Sequence, residues 1–424
     1  MNARPLLTAL LCAFCIDFVQ ADSPNVLFIA VDDLNHWVGH LKRNDQTITP
    51  NLDRLAKKGT SFARAYCAAP ACNPSRAALM SGMRPSTTGV YHNPNPYRPY
   101  VKPEQTLNSH FRANGYYVAG AGKIYHGGGG RREEWDDYGG GPGVKGQGAF
   151  EKGAVGKLAW AQLKGGDEVV RDYQTVSYCI DQLKKKHAKP FFLACGIFRP
   201  HLPWNVPKKY FDMHPLENIK LPPYQEDDLK DVPPAGVKTA GSNGDHRKVR
   251  EAGKWKELVR AYLASVTFAD AMLGRLLDAY DQSEHANNTI IVLWGDHGWH
   301  LGEKHHWRKF ALWEEATRAP LIWVAPGVTT AGTICETPVD FMSIYPTLCD
   351  LASLKKPGHL DGVSILPLLK DPKAKWDRPA MTTHGRGRHA LRSPRWRYIV
   401  YGDGQEELYD HSNDEYEWKN VAAD

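Results

Sequence analysis

The stretch Asn25-Val26-Leu27-Phe28-Ile29-Ala30-Val31-Asp32-Asp33 decides how the chain is read. Its near-continuous apolar run, rich in β-branched side chains, predicts a strand covered on both faces, as in a parallel sheet sandwiched between helices. Two adjacent acids stand at its carboxyl end. Open α/β sheets gather their ligands in the crevice outside the carboxyl ends of the strands, and two like charges so close together call for a cation. A lone Asp-Asp pair is more often a cap or an exposed turn. The pair therefore gains weight only if further chemistry arrives at the same edge.

Working outward, buried strands are predicted at 116–119, 191–195, 289–294 and 317–324. Three of them run directly into polar segments: Gly120-Ala121-Gly122-Lys123-Ile124-Tyr125-His126, Phe198-Arg199-Pro200-His201-Leu202-Pro203-Trp204 and Gly295-Asp296-His297-Gly298. The glycines and lysine of the first fit an anion site, although the spacing of a nucleotide P-loop is absent. Helices are predicted at 49–58, with a Thr49 cap and Pro50 in the first turn, and at 107–113, 167–186, 255–280 and 341–351. Residues 127–156 read as a long Gly-rich loop of mixed charge, and 206–253 as a polar surface excursion. The segment 303–309 is dense in cations. From 379 onward, short alternating pieces separated by Ser393-Pro394 and Asp403-Gly404 carry hairpin signals. The expected fold class is α/β: a large, mostly parallel sheet flanked by helices over 22–378, with a small C-terminal antiparallel sheet subdomain over 379–424.

Cys72-Asn73-Pro74-Ser75-Arg76, just ahead of Ala77-Ala78-Leu79-Met80, reads as a nucleophile at a helix entrance. Pro74 suits the first turn, where a missing N–H costs nothing, and the free amides there favour an anionic centre. The alternative is that Cys72 is a small buried hydrophobe.

Composition narrows the compartment and the partners. Residues 1–21 hold an apolar run bounded by Arg4 and a small-residue end, which predicts a cleaved signal peptide and an exported, periplasmic or secreted protein. No later run approaches the length of a membrane span. Beyond the leader the cysteines are Cys67, Cys72, Cys179, Cys195, Cys335 and Cys349, too sparse for a disulfide scaffold and without metal-type spacing. The net charge of +6 is compatible with anionic substrates. No aromatic-interleaved basic patch points to nucleic acid.

Asp32-Asp33, Lys123, His126, His201 and Asp296-His297 come from four predicted strand ends and can meet at one edge of the sheet. With Cys72-Asn73-Pro74-Ser75-Arg76 and Ala77 to Gly82, they resemble the type I sulfatases of the alkaline-phosphatase-like superfamily. The resemblance runs from Asn25-Val26-Leu27 through Gly122-Lys123-Ile124-Tyr125-His126 and Gly295-Asp296-His297-Gly298 to Glu407-Leu408-Tyr409, in the family's order. It implies that a separate maturase, a formylglycine-generating or equivalent enzyme, reads Cys-x-Pro-x-Arg and converts Cys72 to formylglycine. A hydrated aldehyde offers two hydroxyls: one attacks sulfur, and the other loses its proton to expel sulfate, an exit a serine ester lacks.

The same resemblance implies Asp32, Asp33, Asp296, His297 and the residue at Cys72 as metal ligands, with Ca2+ as the ion. It gives Arg76 the task of orienting the hydrate and, with Lys123 and Lys309, of neutralising sulfate oxygens. His126 would hydrogen-bond the hydrate and assist elimination, and His201 would protonate the leaving oxygen. Lys309 is preferred to Lys304 because Leu301-Gly302-Glu303 and Trp307-Arg308-Lys309 fit the family frame. His297, where many sulfatases have Asn, together with Gly-Lys-Ile-Tyr-His and Phe-Arg-Pro-His, resembles the iduronate-2-sulfatase branch and implies a sulfated carbohydrate. The competing expectations are an aryl or choline sulfatase, a phosphate or phosphonate ester hydrolase of the same superfamily, and a non-catalytic glycan-binding protein.

Overall fold

The apolar run Asn25–Val31 forms strand β1, and its alternate side chains enter two separate cores. Leu27, Ile29 and Val31 pack with the face carrying helices Arg171–Leu183 and Trp255–Asp281. Val26, Phe28 and Ala30 pack with the face carrying helices Cys72–Ser81, Leu107–Ala113 and Ile344–Leu351. A period of two with both faces buried is why the run shows no polar alternation. The structure, a computed structural model, describes residues 23–423 apart from 129, 142 and 243. The leader expected over 1–21 lies outside them.

Seven further strands complete the main sheet: β2 Thr60–Phe62, β3 Tyr117–Gly122, β4 Asp137–Gly139, β5 Phe191–Ile197, β6 Thr289–Gly295, β7 Leu321–Val324 and β8 Thr333–Cys335. Their order is β8-β2-β7-β6-β1-β5-β3-β4. All neighbours run parallel except β7, which is antiparallel to β6 and β2. The expected mostly parallel α/β sheet is therefore present. So is the C-terminal antiparallel sheet, whose strands are β9 Ala380–Thr383, β10 His389–Arg392, β11 Trp396–Val400 and β12 Glu406–Asp410.

Register brings the strand ends abreast. Val31 lies opposite both Gly295 and Ile197, and Gly122 opposite Gly196. The ladder continues one residue further, with Asp32 N donating to Ile197 O (3.0 Å), Asp296 N to Val31 O (3.3 Å) and Lys123 N to Gly196 O (2.9 Å). Gly122 has φ +81°, and a Cβ there would sit 2.1 Å from Gly196 O. Only glycine lets β3 end so close to β5.

Several local expectations are corrected. The segment 127–156 is not one loop: it contributes the edge strand β4 and strand Ala149–Val155, which pairs with Leu158–Leu163, itself parallel to Trp204–Pro207. A three-residue strand such as β4 carries too little pattern to be read beforehand. The polar 206–253 excursion folds into helices that include Pro234–Gly241, and Val232 and Ala240 pack under the C-terminal sheet with Ile399 and Tyr409. The helix predicted at 167–186 divides into a 3-10 turn, Asp167–Val169, and helix Arg171–Leu183. The strand predicted at 317–324 begins at Leu321, because Glu314–Thr317 closes a helical turn. Thr49 does not cap Pro50–Lys58: its hydroxyl accepts from Gly39 N (2.8 Å), and Asp270 accepts from the first-turn amides Asn51 N and Leu52 N instead.

Candidate active site

Cys72 is the first residue of helix Cys72–Ser81, entered through an extended Ala71, and it is fully buried. Its Sγ lies 2.9 Å from Lys309 Nζ, 3.4 Å from His297 Nε2 and 3.7 Å from Asp33 Oδ1. Burial alone would push the thiol up, but Lys309, Lys123 and His297, with a hydrogen bond from His126, hold it well below its ordinary value. A sulfur buried this way differs from Cys67, which burial pushes above the ordinary thiol range. All six described cysteines are free.

One turn along the helix, Arg76 faces the same side as Cys72. Its Nε donates to Asp296 Oδ2 (2.9 Å), its Nη2 to Asp32 Oδ1 (3.0 Å) and its Nη1 to Ile124 O (3.1 Å) and to Lys123 O. Ser75 Oγ donates to Asp296 O (2.5 Å). The motif helix thus fixes the ends of both neighbouring strands, and every guanidinium nitrogen is occupied.

The acids are held as firmly. Asp33 adopts φ 59°, a left-handed conformation that Asp tolerates better than most residues. Its N–H donates to Asp296 Oδ1 (2.9 Å), and its carbonyl accepts from Tyr262 Oη (2.9 Å), which in turn accepts from Asn35 N (2.9 Å). Burial and the Cys72 sulfur push Asp32 up, yet Lys123, Arg76 and His201 hold its carboxyl below the usual range. Burial leaves Asp296 raised to about 7 in spite of His297 and Arg76. His297 places Nδ1 3.0 Å from Gly298 O, so its Nε2 turns toward Asp33 Oδ1 (3.3 Å) and Asp296 Oδ2 (3.5 Å).

These residues fit a metal ion. Asp33, Cys72, Asp296 and His297 each offer a ligand atom within 4.8 Å of the others, and Asp32, Asp33, Cys72 and His201 form a second such group sharing two members. The buried Asp33 Oδ2 has no hydrogen-bond partner among the described residues. Carboxylate oxygens in excess suit a hard divalent cation, and one imidazole nitrogen is compatible with it.

Beyond the acids, Lys123 Nζ pairs with Asp32 Oδ2, and Lys309 Nζ lies 2.6 Å from Asp33 Oδ1. Lys304 is elsewhere, bonded to Asp228 Oδ1 (2.7 Å) and to Glu417 O. His201 Nε2 sits 3.9 Å from Asp33 Oδ2, and its side chain keeps 26% exposure. Burial lowers His201, but Asp33 and Asp32 raise it to about 9. His126 is exposed at a cleft of about 300 Å³ that Lys123 and His201 also line.

All ten positions singled out in the sequence thus gather at one edge. Three supporting residues were not legible. Tyr262 lies inside an apolar helix pattern and looks like any core tyrosine. Asp172 accepts from Phe198 N (2.7 Å) and Arg199 N (2.9 Å), fixing the turn that carries His201. Its only sequence signal was an acid in a first helical turn. Trp299, 5.4 Å below Lys309 Nζ, had none.

Buried oxygens that require a cation, beside a nucleophile position ringed by positive charge, suit attack on an ester whose acid part is an anion. On this sheet topology that defines a hydrolase of the alkaline-phosphatase-like class. Within the class the chain belongs to the sulfatase family, whose profile matches residues 24–354, and a profile described as N-sulphoglucosamine sulphohydrolase, C-terminal, matches 302–424. A sulfatase of Formosa agariphila is 41% identical over 95% of this chain and 84% of that protein. Human iduronate 2-sulfatase is 31% identical over 79% of this chain and 70% of its own length. A solved phosphonate monoester hydrolase from Silicibacter pomeroyi superposes with a TM-score of 0.78 over 95% of this chain and 91% of that one. Its sequence identity is 20%, a likeness of fold alone. The chain is accordingly a sulfatase-type hydrolase with a cysteine-derived, metal-binding site.

Proposed function

We propose that the enzyme is exported and hydrolyses a sulfate ester on a sulfated carbohydrate, using formylglycine made from Cys72 by a maturase. The observation that carries this reading is the place of Cys72 within Cys-x-Pro-x-Arg, its Sγ 2.9 Å from Lys309 Nζ and 3.4 Å from His297 Nε2. The carbohydrate substrate is supported by the 31% identity to iduronate 2-sulfatase and by His297 itself. Membership of that branch is part of the proposal.

A bound divalent ion, for which we propose calcium, and the aldehyde hydrate together supply a hydroxyl ionised for attack and positive charge for sulfate oxygens. Asp32, Asp33, Asp296 and His297 hold the ion. Arg76 has its donors on Asp32, Asp296 and two carbonyls. We therefore give it the task of positioning the acids and the side chain at 72, in place of direct contact with sulfate. Lys123 and Lys309 neutralise sulfate oxygens as charge shifts. His126 hydrogen-bonds the hydrate from the cleft mouth. His201, its Nε2 3.9 Å from Asp33 Oδ2, donates a proton to the leaving oxygen.

The superfamily fold also carries phosphorus esters, so kinetics on matched aryl sulfate and aryl phosphate test the assignment. Preference for the sulfate is expected. Preference for the phosphate overturns it.

A further inference from the structure

The cleft of about 300 Å³ next to the cluster is lined by Lys123, His126, Arg171, Asp172, Phe198 and His201. His201 is the residue assigned above to the leaving oxygen, so the alcohol part of the ester must lie on the His201 side, which is this cleft. Its volume stands at the lower end of small-molecule sites, roughly 300–1,000 Å³. That suits a single sugar residue better than a long polymer segment.

The charges of the lining are unequal in how they are used. Lys123 is paired with Asp32. Asp172 is buried, with one oxygen on Phe198 N (2.7 Å) and the other on Arg199 N (2.9 Å), so both oxygens are engaged in holding that turn. Arg199 is turned away, donating to His201 O (3.2 Å) and Asn205 O (3.3 Å). Arg171 is different. It opens the thirteen-residue helix Arg171–Leu183, is exposed, and has no carboxylate or hydrogen-bond partner among the described residues. A guanidinium matches the two oxygens of a carboxylate or sulfate with parallel N–H bonds. Phe198 also lines the cleft with an apolar ring, 4.7 Å from the His201 ring between centroids.

We propose that this cleft is the leaving-sugar subsite and that Arg171 binds a second anionic group on that sugar, either a carboxylate or a further sulfate. The inference rests on the sulfatase reading and deepens it from sulfated carbohydrate to doubly anionic sugar. Arg171 is then a specificity residue, away from the reacting atoms.

The test compares the enzyme with Arg171→Gln and Arg171→Lys on three sugars: a sulfated uronate, a disulfated hexosamine and a monosulfated neutral hexose. For at least one doubly anionic substrate, Arg171→Gln should raise KM about tenfold relative to the neutral hexose, the scale of one charge-assisted bidentate contact. Arg171→Lys should fall between. A response confined to the uronate assigns the carboxylate; one confined to the disulfated sugar assigns the second sulfate. Equal KM changes on all three sugars, or none, overturn the proposal. Turnover of an activated aryl sulfate by the unmutated enzyme is read separately. Failure there would remove the sulfatase reading, whereas failure of the KM pattern alone would remove only the role of Arg171.

Discussion

Two buried charge clusters among the described residues differ in that one is closed and the other is left open. Beneath the C-terminal sheet, Glu314 Oε1 accepts from Tyr66 Oη (2.9 Å) and Arg318 Nη1 (3.4 Å), while its Oε2 pairs with Arg397 and lies 3.6 Å from Arg392 Nε. Glu417 Oε1 pairs with Arg397 and His411, and its Oε2 accepts from Glu314 N (2.8 Å). Glu314, His411 and Glu417 are close enough to ligate an ion. Every carboxylate oxygen there already has a partner, so the arginines occupy the place a metal would take. At the sheet edge Asp33 Oδ2 has no hydrogen-bond partner among the described residues, and Asp296 is raised to about 7, chiefly by burial. The closed network ties the C-terminal sheet, through Arg392 and Arg397, to the turn Glu314–Thr317. The open one keeps capacity for an ion and a substrate, and it does so at some cost in stability.

The largest expected effect breaks the open cluster. Asp296→Asn keeps the acceptor for Asp33 N but removes a ligand charge. Activity and bound metal should fall by more than the roughly 100-fold that loss of outer-shell partners causes, while metal-free stability falls by less than the about 3–5 kcal/mol of a fully broken buried pair, because Arg76 keeps Asp32 Oδ1. Metal analysis and thermal unfolding check this pair of outcomes. If metal content stays at the wild-type level, Asp296 is not a ligand.

Glu314→Gln should do the reverse. It leaves Arg392 without its carboxylate and Arg397 with Glu417 alone in a buried site, and unfolding free energy should drop by about 3–5 kcal/mol, with activity per folded molecule and metal content retained. Denaturant unfolding and turnover decide it. Loss of metal with preserved stability would make this cluster the metal site and undo the comparison.

The smallest effect separates the fold's own pH dependence from both clusters. His214, buried with Nε2 2.9 Å from Thr267 Oγ1, is lowered from its ordinary 6.5 to about 4, first by burial and then by Arg260. A depressed folded-state value means that the unfolded chain takes up the proton first. The contribution of neutral His214 is present above 6.5 and is lost as pH falls through 6.5 toward 4, by at most about 1.4 kcal/mol per pH unit. Unfolding curves across that window should show the loss, and His214→Asn should flatten it. An unchanged slope in the variant would assign the acid sensitivity to other groups.

The contrast also explains what could be read beforehand. β1 announced itself because both of its faces are buried, and Asp32-Asp33, the Cys72 motif and Asp296-His297 are contiguous in sequence. The closed cluster was invisible, since Tyr66, Glu314, Arg397 and Glu417 lie far apart along the chain and meet only through tertiary packing. The same holds for Asp270 taking the capping role expected of Thr49, and for Tyr262 holding the carbonyl of Asp33. Edge strands such as Asp137–Gly139 are too short to carry a period.

The central claim is that the thiol of Cys72 is a precursor, placed where an aldehyde hydrate can face a metal and a sulfate ester. Peptide mass spectrometry across Cys72, on protein whose sulfatase turnover has been measured in the same preparation, tests it most directly. The account predicts formylglycine at position 72 in a fraction that tracks activity across preparations. Full sulfatase activity with an unmodified Cys72 thiol would contradict it.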